Sequence, residues 1–437
     1  MMNQQRIINS RCLLGKNDDS VREFPCNLSD YNIFAIHQEI MINTAALQTL
    51  LDLVNKIIPK VNFTIGIQRK TNFKKNVFST NFNNRALVSY LSDPFVSGLQ
   101  NKHTNHLECA FAAKTLSEMC YNVDVIDFDH HKKIDFKQYD VIYGFGHQFE
   151  QSFYDLSFKG KRIVYSPGCN TVYSNLVSCL RLKDFVNSGG ILNPKLIRTT
   201  NDAWPLQKYL SDAIICLGNE FVLNSYKDPF EQTKYHQINC FPLDCNQAIN
   251  INQKDFSTAK YNLLWFGSQG SVHKGLDIVL RLVEKNPKLK LYIRGLNLKH
   301  EHVILEKFQH LIRNNQVDVK QHVDINSPEF VTIMQNCGGV IFPSASEGGA
   351  AALLTVMAHG GLIPIITKAC GLDIEHLGFI ANETTQESVE AQLNLYLEKL
   401  DTELYALSQK IKTEISTTYS VANYQNSLKN ILTNILN

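Results

Sequence analysis

A glycine-rich loop that carries one carboxylate, Ser346 to Gly349, lies between a short apolar run and an alanine-rich stretch. The apolar run 340–342 stops at Pro343, which cannot donate to a strand ladder, and this indicates a buried parallel strand. The alanine and leucine content of 350–359 predicts a helix. Glycines at a helix N-terminus let an anion approach free N–H groups, and the helix dipole favours negative charge there. A helix-capping role for Glu347 is the structural alternative, and it does not exclude ligand binding.

Two further loops of the same part of the chain follow predicted strands. Residues 267–275 are glycine-rich and precede a predicted helix at 276–285, and Lys274 can supply a point charge to a diphosphate. An ordinary glycine-rich turn with a solvated lysine is an equally good interpretation. Gly295 follows the predicted strand 290–293, where it would let a planar base lie against the backbone. For Gly295 a simple strand-ending role is the favoured interpretation.

Length and composition indicate two packed domains without a strong charge preference. The chain has 437 residues, 44% of them hydrophobic and 19% charged, with a net charge of +2. Nothing global therefore attracts it to nucleic acid or to an anionic membrane. Its eleven cysteines are scattered without a CxxC pair, which favours reduced thiols in a cytosolic protein. We expect neither a signal peptide nor a membrane-spanning helix.

Short apolar strands alternate with helices along most of the chain, which predicts an α/β fold with parallel, doubly wound sheets. Such sheets bind ligands outside the carboxyl ends of their strands. A polar, aperiodic stretch near 246–260 indicates a linker between two halves. The strands are expected at 85–91, 123–128, 140–146, 161–166, 213–217 and 236–241 in the first half, and at 261–266, 290–293, 317–322, 340–342 and 362–366 in the second. The helices are expected at 43–57, 106–120, 276–285, 303–314, 386–400, 402–416 and 424–436, with a further strand at 61–67.

At this point the chain resembles a known family, the retaining GT-B glycosyltransferases. The segments that carry the resemblance are WFGSQGSVHKGLDIVL, LYIRG and VIFPSASEGGAAALLTVMAHGGLIPIITKACG, within residues 261–372. Their order and spacing fit the donor half of that family, and residues 85–437 are compatible with its two Rossmann-like domains facing across a cleft. The resemblance does not cover residues 1–80, which we expect to form an N-terminal extension packed on the first domain. The domains expected beyond it are an acceptor domain (81–245), a linker (246–260), a donor domain (261–420) and a C-terminal helix (421–437) that could cross back to the acceptor domain.

The resemblance implies roles for individual donor-side residues. Lys274 would neutralise the donor diphosphate, and Glu347 would contact the transferred sugar. The family's arginine before that lysine is replaced here by Ser268 and Gln269, so His273 or Arg294 would have to compensate. The family's second acid, which contacts the ribose, is replaced by Thr355, about 12 Å further along the helix. The donor-binding residues expected from the resemblance are Gly267, Ser268, Gly270, His273, Lys274, Arg294, Gly295, Ser346, Glu347, Gly348, Gly349, Ala350 and Thr355.

Catalysis is expected to need no metal and no further cofactor, because a lysine and a helix dipole can stabilise the leaving diphosphate. Asp127 and Asp129, followed by two histidines, could hold a divalent ion, but a solvated strand end is the favoured interpretation. Closure of the two domains would shield the reacting centre from water. Retention of configuration without a protein nucleophile is implied by the resemblance alone.

The acceptor side is expected on the loops of the first half. His147 follows a predicted strand and is a candidate base or acceptor ligand, although a lone histidine is more often structural. Asn105 with Glu108 at N3 would fit a helix-capping arrangement as well as an acceptor site. The family often has a histidine where Cys169 and Asn170 stand. The acceptor-binding residues expected are Asn105, His106, Cys169 and Asn170.

The resulting hypothesis is a cytoplasmic glycosyltransferase that takes a UDP- or GDP-linked sugar to a glycan or lipid-linked acceptor. Its setting would be the assembly of a surface polysaccharide such as O-antigen, other lipopolysaccharide parts or capsule, with at most peripheral membrane association and no nucleic-acid partner. Two alternatives stay open: a non-catalytic nucleotide-binding subunit of the same fold, which Thr355 and the missing arginine would favour, and a sugar-nucleotide epimerase.

Overall fold

The computed structural model describes residues 73–437 apart from 100–102, 201, 203, 228–233 and 248. The helix expected at 43–57, the strand expected at 61–67 and most of the expected extension 1–80 lie outside the described residues. Arg69–Asn437 form one compact unit, to which both sheets described below belong.

The first sheet has seven strands and carries the N-terminal half of the described chain. Its strand order is β1-β3-β2-β4-β5-β6-β7, and every neighbouring pair is parallel except β1 with β3. Both faces of the sheet are covered, which requires continuous apolar strands rather than alternating ones. In β2, Ala86 and Val88 enter one hydrophobic core while Leu87 enters another on the opposite face. The strands are β1 (Phe73–Lys74), β2 (Asn84–Tyr90), β3 (Tyr121–Asp127), β4 (Val141–Gly144), β5 (Lys161–Ser166), β6 (Ala213–Leu217) and β7 (Lys234–Ile238).

The second sheet has six parallel strands in the order β10-β9-β8-β11-β12-β13. From β8 the chain builds outward to β10 on one side, then crosses to β11 and builds outward on the other. This order is that of a doubly wound nucleotide-binding sheet, so the expected fold class is confirmed. The strands are β8 (Asn262–Phe266), β9 (Lys290–Arg294), β10 (Val317–Lys320), β11 (Gly339–Phe342), β12 (Ile363–Thr367) and β13 (Phe379–Ala381).

Helices cover both sheets and connect the parallel strands. Those of the first half are α1 (Thr104–Glu118), α2 (His147–Gln151), α3 (Thr171–Asn187), α4 (Pro205–Leu210) and α5 (Glu220–Asn224). Those that follow are α6 (Phe256–Ala259), α7 (Leu276–Lys285), α8 (Leu298–Glu301), α9 (Gln309–Arg313), α10 (Pro328–Asn336), α11 (Ala351–Gly360), α12 (Gln386–Glu398), α13 (Asp401–Thr418) and α14 (Val421–Leu436).

Two differences from the sequence-based expectation have clear physical causes. The helix α3 was not expected, because apolar side chains at Val172, Leu176 and Leu180 are exposed while Ser178 and Arg181 are buried. The continuous helix expected at 303–314 is wrong: the structure has a 3₁₀ helix, His302–Phe308, followed by the short α9. The apolar spacing of that segment suits either geometry, so periodicity alone does not distinguish them.

The last helix, α14, packs against the first half. The Tyr424 hydroxyl donates to the Tyr165 hydroxyl at 3.1 Å, and Tyr165 in turn donates to Glu108 Oε2 at 3.0 Å. Burial raises the pKa of Glu108, and the hydroxyl groups that donate to its carboxylate oppose that shift. This buried polar network ties the C-terminal end of the chain to the first sheet.

Within the part of the chain that the structure describes, no helix is long and apolar enough to cross a membrane. Nine cysteines lie in that part, and each is a free thiol.

Candidate functional site

Two loops meet at the point where the strand order of the second sheet reverses. β8 and β11 are parallel neighbours, paired at Gly339↔Leu263 and Val340↔Leu264. The chain leaves β8 toward one edge of the sheet and β11 toward the other, and this opens a crevice between the loops that follow them. We call residues 267–275, after β8, the lysine loop, and residues 343–350, after β11, the glutamate loop.

Glu347 of the glutamate loop is held by two cations and a hydroxyl group. Lys274 Nζ lies 2.9 Å from Glu347 Oε1, and the Ser344 hydroxyl donates to the same oxygen at 2.9 Å. Arg198 Nη1, from the first half, lies 3.4 Å from Glu347 Oε2. The side chains of Lys274, Glu347 and Arg198 are 5%, 11% and 53% exposed, so Arg198 is on the solvent side. We call these three residues the Glu347 cluster.

The charges of the cluster determine the protonation of its carboxyl. Burial alone would raise the pKa of Glu347, but the positive charges of Lys274 and Arg198 overcome it and lower the pKa to about 2. Burial lowers the pKa of Lys274, and the Glu347 carboxylate opposes that shift. The carboxylate is therefore ionised at neutral pH and is not a proton donor there. It is placed to orient a ligand or the two cations.

His273 does not add charge to the site, which corrects the expectation that it compensates for the missing arginine. Its Nε2 lies 2.9 Å from the Ser346 carbonyl, which only accepts, so Nε2 carries the proton. Its Nδ1 lies 2.8 Å from Ser178 Oγ. Burial lowers the pKa of His273 to about 4, so the ring is neutral at pH 7. The ring joins α3 to the glutamate loop.

Arg294 is also committed elsewhere, so the second expected compensation is wrong. Its guanidinium lies 2.8 Å from Asp318 Oδ2 and 3.0 Å from Glu329 Oε1, and its side chain is 2% exposed. Nη1 donates to two backbone carbonyls as well. A buried guanidinium with two carboxylates has its charge neutralised and holds β9 to β10 and α10.

Thr355 was expected to bond a ribose hydroxyl, but its own hydroxyl is already occupied. It donates to the Ala351 carbonyl at 2.8 Å and accepts from the Leu243 N–H at 3.0 Å. The residue is 1% exposed. Thr355 fastens the segment that follows β7 to α11, and a ribose contact would require this segment to be displaced.

The lysine loop is shaped by a buried carboxylate rather than left open for an anion. Glu301 Oε1 accepts from the N–H groups of Gly270 and Ser271 at 2.9 and 2.7 Å. Glu301 is fully buried, so these two amides are not free for a phosphate. Gly295 is required for a different reason than expected: a Cβ there would lie 1.8 Å from the Gly267 carbonyl oxygen. Ser268 is exposed at the tip of the loop.

The glycines of the glutamate loop lie against the first half. A Cβ on Gly348 would lie 2.1 Å from the Pro167 carbonyl oxygen, and one on Gly349 would lie 2.8 Å from Cys240 Cβ. Ala350, the residue before α11, has a left-handed φ of 38°, which costs free energy for a residue with a side chain. Among the described residues, no hydrogen-bond partner is found for the N–H groups of Gly348, Gly349 and Ala350. These amides are therefore the free donors of the site.

The first half contributes directly to the position of both loops. The Leu196 carbonyl accepts from the Val272 N–H at 2.9 Å, and the Ser174 and Ser346 hydroxyl groups lie 3.0 Å apart. Arg181 of α3 makes a bidentate ion pair with Asp277 of α7, both bonds 2.9 Å long. Both side chains of that pair are nearly or fully buried. The lysine loop is thus held in place from the opposite side of the crevice.

On the acceptor side, one expected residue, His147, lies away from the Glu347 cluster, and another, Cys169, contacts it. His147 begins α2, and its ring lies 4.3 Å from that of His131, in the first half rather than in the Glu347 cluster. Burial lowers the pKa of His147, and the nearby His131 lowers it further. Cys169 contacts the site directly, since its Sγ lies 3.6 Å from the Glu347 carbonyl oxygen.

Helix capping accounts for Asn170 but not for Asn105. Asn170 Oδ1 accepts from the Val172 N–H, so Asn170 caps α3. The capping arrangement expected for Asn105 and Glu108 is wrong: His103 caps α1, and the buried Glu108 carboxylate accepts from the Tyr90 hydroxyl at 2.9 Å. Asn105 Oδ1 and His106 Nδ1 are buried without a hydrogen-bond partner among the described residues.

Arg198 and the residues of α3 that reach the site were not found from the sequence. Arg198 lies in a stretch, 191–204, that contains no glycine. Its approach to Glu347 depends on the packing of two halves that are far apart in sequence. The described residues contain no group of histidine, cysteine and carboxylate side chains that could hold a metal ion.

Comparison with known proteins identifies the fold. No family model and no curated protein matches this chain. HepE from Anabaena, solved with UDP and glucose, is 13% identical and matches 80% of this chain and 99% of its own, with a TM-score of 0.50. The catalytic domain of starch synthase IV from Arabidopsis thaliana, bound to ADP and acarbose, is 11% identical and matches 82% of this chain and 100% of its own, also at 0.50. TarM from S. aureus is matched over 69% of this chain, which spans only 56% of TarM, at 14% identity and a TM-score of 0.48.

The two similarities at a TM-score of 0.50, to HepE and to starch synthase IV, show that the chain has the GT-B fold, with two Rossmann-like domains. The expected fold is therefore confirmed by both its sheet topology and its structural neighbours.

Proposed function

We propose that the protein is a glycosyltransferase that moves a sugar from a nucleoside-diphosphate sugar to a glycan or lipid-linked acceptor. The observation that carries this proposal is the Glu347 cluster beside the free amides at the start of α11. Two cations, one ionised carboxylate and unpaired N–H groups lie together where a doubly wound sheet binds nucleotides. The GT-B fold supports the same assignment, since two of the solved structures that share it, HepE and starch synthase IV, were determined with UDP and with ADP.

The proposed chemistry follows from where charge develops. When the bond between the sugar and the diphosphate breaks, negative charge grows on the leaving diphosphate. Lys274 and the N–H groups at the start of α11 would stabilise that charge without reorganising, which is the largest contribution to catalysis at many sites of this kind. Glu347 would orient the transferred sugar through its hydroxyl groups, as the resemblance implies.

Because the proposed donor site takes up the loops of the second half, we assign the acceptor site to the first half. Asn105 and His106 carry buried polar atoms without partners among the described residues, and Cys169 touches the backbone of Glu347. His147 and His131 form a second polar position on the same half. We propose that these residues bind the acceptor, with His147 as the candidate base.

The finer assignments belong to the same proposal. Transfer with retention, a UDP- or GDP-linked donor, a role in surface polysaccharide assembly and a location at the cytoplasmic face of the membrane all follow from the resemblance to retaining GT-B enzymes. No divalent cation is needed in this scheme, because Lys274 and the helix N-terminus take its role.

A thermal-shift screen against UDP, GDP, ADP and CMP with their common sugar conjugates tests the donor site. A ligand that binds only the folded state raises the melting temperature by mass action. One nucleoside diphosphate should stabilise the protein clearly more than the others and identify the base. No shift with any of them would contradict the proposal.

Turnover of the sugar conjugate then separates the enzyme from the alternatives. Release of the nucleoside diphosphate, in transfer or in slow hydrolysis, is expected for a glycosyltransferase. Tight binding without any turnover would indicate a non-catalytic subunit. Epimerised sugar nucleotide, detected by NMR, would indicate an epimerase. The anomeric proton coupling of the product tests retention in the same experiment.

A further inference from the structure

We propose that Arg198, which belongs to the first half, is the second cation of the donor diphosphate site; this inference rests on the proposed function. The lysine loop has Ser268 and Gln269 where a second positive charge would be expected, and neither His273 nor Arg294 supplies one. Arg198 fills that position in space from the opposite side of the crevice. The donor site is therefore complete only when the two halves are together.

The position of Arg198 is built by its own backbone contacts. Two residues earlier, the Leu196 carbonyl accepts from the N–H of Val272 in the lysine loop. The Arg198 carbonyl oxygen lies 2.6 Å from Ser178 Oγ, which also contacts His273. Its side chain crosses Gly270, where a Cβ would lie 2.6 Å from Arg198 Cγ. Gly270 thus leaves room for the arginine side chain, and not for a phosphate as the sequence suggested.

The guanidinium is held loosely enough to bind an incoming anion. Its contact with Glu347 is 3.4 Å long, whereas charge-assisted bonds of this kind are about 2.7–2.9 Å. By contrast, Lys274 contacts Glu347 at 2.9 Å and is nearly buried. Arg198 is 53% exposed and forms only this one side-chain hydrogen bond among the described residues. A diphosphate that enters from solvent therefore meets Arg198 before Lys274.

Before the donor binds, Glu347 holds Lys274 and Arg198 together. With Lys274 and Arg198 charged and His273 neutral, the cluster carries one uncompensated positive charge. The carboxylate keeps the two cations at a short distance from each other and limits their repulsion. When the diphosphate binds, Arg198 can turn its planar fork from Glu347 to two phosphate oxygens, a geometry that lysine cannot reproduce.

The test compares Arg198→Gln with Lys195→Gln in the full-length protein. Lys195 is exposed in the same segment, so both variants lose one positive charge at nearly the same place. Binding of UDP and GDP, and of UMP and GMP, is measured by calorimetry. Arg198→Gln should weaken the preferred diphosphate about tenfold or more, as the loss of a charge-assisted bond implies, and change the monophosphate less than about twofold. Lys195→Gln should change neither, and Arg198→Lys should recover part of the loss.

The outcomes separate this inference from the proposed function. If the wild-type protein binds none of the four nucleotides, both proposals fail. If it binds a diphosphate and Arg198→Gln retains wild-type affinity, only the role of Arg198 is overturned. An equal loss for diphosphate and monophosphate would also overturn it, because it would show a general effect on the crevice. Equal melting temperatures of the two glutamine variants without ligand would exclude a difference in folding.

Discussion

The two sides of the crevice present their chemistry in different ways. The lysine and glutamate loops of the second half are built from local patterns of glycine, one cation and one carboxylate, each between a strand and a helix. The opposite side consists of isolated side chains, Arg198, Ser178 and Arg181, that share no local pattern. The first kind can be recognised in a sequence, whereas the second kind exists only after the halves have packed.

This difference also separates what each side does. The second half supplies groups that lie at a strand end because the fold places them there. The first half fixes those groups: it carries the serine that contacts His273, the carbonyl that contacts Val272 and the arginine that pairs with Asp277. Lys274 and Glu347 on one side, and the side chains of α3 that hold their loops on the other, therefore predict different consequences of mutation.

The largest effect is expected for Lys274→Met, which removes a reactive group. Loss of one preorganised charge at a developing anion typically costs about 10²–10³ in kcat. Steady-state kinetics with the preferred sugar nucleotide measure it. Because the buried Glu347 carboxylate would lose its nearest cation, the variant should also melt at a lower temperature than the wild type.

The double variant Lys274→Met/Glu347→Gln is the control for that stability loss. Removing both charges should restore most of the melting temperature that the single variant loses, and none of the activity. If the double variant regains wild-type turnover, Lys274 is not part of the reaction and only balances a buried carboxylate.

Loss of a positioning group should reduce the stability of the protein more than its activity. Arg181→Met breaks a buried bidentate ion pair, and one partner left alone in such a pair destabilises by about 3–5 kcal/mol. We expect the lower end, since Arg281 still contacts Asp277 Oδ2 at 2.9 Å. Denaturant unfolding measures this loss, with Lys285→Met as control. That lysine pairs with Glu390 on the surface, where the cost is at most about 1 kcal/mol. Equal losses of unfolding free energy in the two variants would contradict a stabilising role of the buried Arg181–Asp277 pair.

The same contrast explains how far the sequence could be interpreted. The strand Lys161–Ser166 and the helix Leu276–Lys285 have the expected bounds because their apolar patterns are local. The helix α3 was missed since it buries Ser178 and Arg181 against the other half and exposes apolar residues. Lys274 and Glu347 could be selected from local pattern, and the roles assigned to them stay a prediction. Arg198 could not be selected, because its contact with Glu347 joins residues that are 149 positions apart in sequence.

Lys254, in the stretch expected to be a linker, offers a test that uses pH rather than activity. Lys254 is buried, with its Nζ 2.8 Å from the Cys337 carbonyl and 2.7 Å from the Gly360 carbonyl, both in the second half. Burial lowers its pKa from 10.5 to about 7. Between these values the unfolded chain binds one more proton than the folded protein, so the stability that Lys254 contributes should rise with pH from about 7 to 10.5.

Denaturant unfolding of the wild type and of Lys254→Met across that pH range measures the effect. The difference in unfolding free energy between the two proteins should grow with pH in favour of the wild type. A difference that stays constant would show that the lysine keeps its proton in the folded state. Lys285→Met, on the surface, provides the comparison for a lysine that is not buried.

The smallest effect on ligand binding is expected for Thr355→Val, although this residue stands where the family resemblance places a ribose contact. Its hydroxyl accepts from the Leu243 N–H, and leaving that part-buried amide without an acceptor should cost about 1 kcal/mol of unfolding free energy. Affinity for the preferred nucleoside diphosphate should change less than about twofold, because no hydrogen bond to the nucleotide is removed. Calorimetry and denaturant unfolding on the same preparation measure both quantities. A tenfold loss of affinity with unchanged stability would mean that the hydroxyl leaves Leu243 to bond the ribose, and the segment after β7 would then have to move when the donor binds.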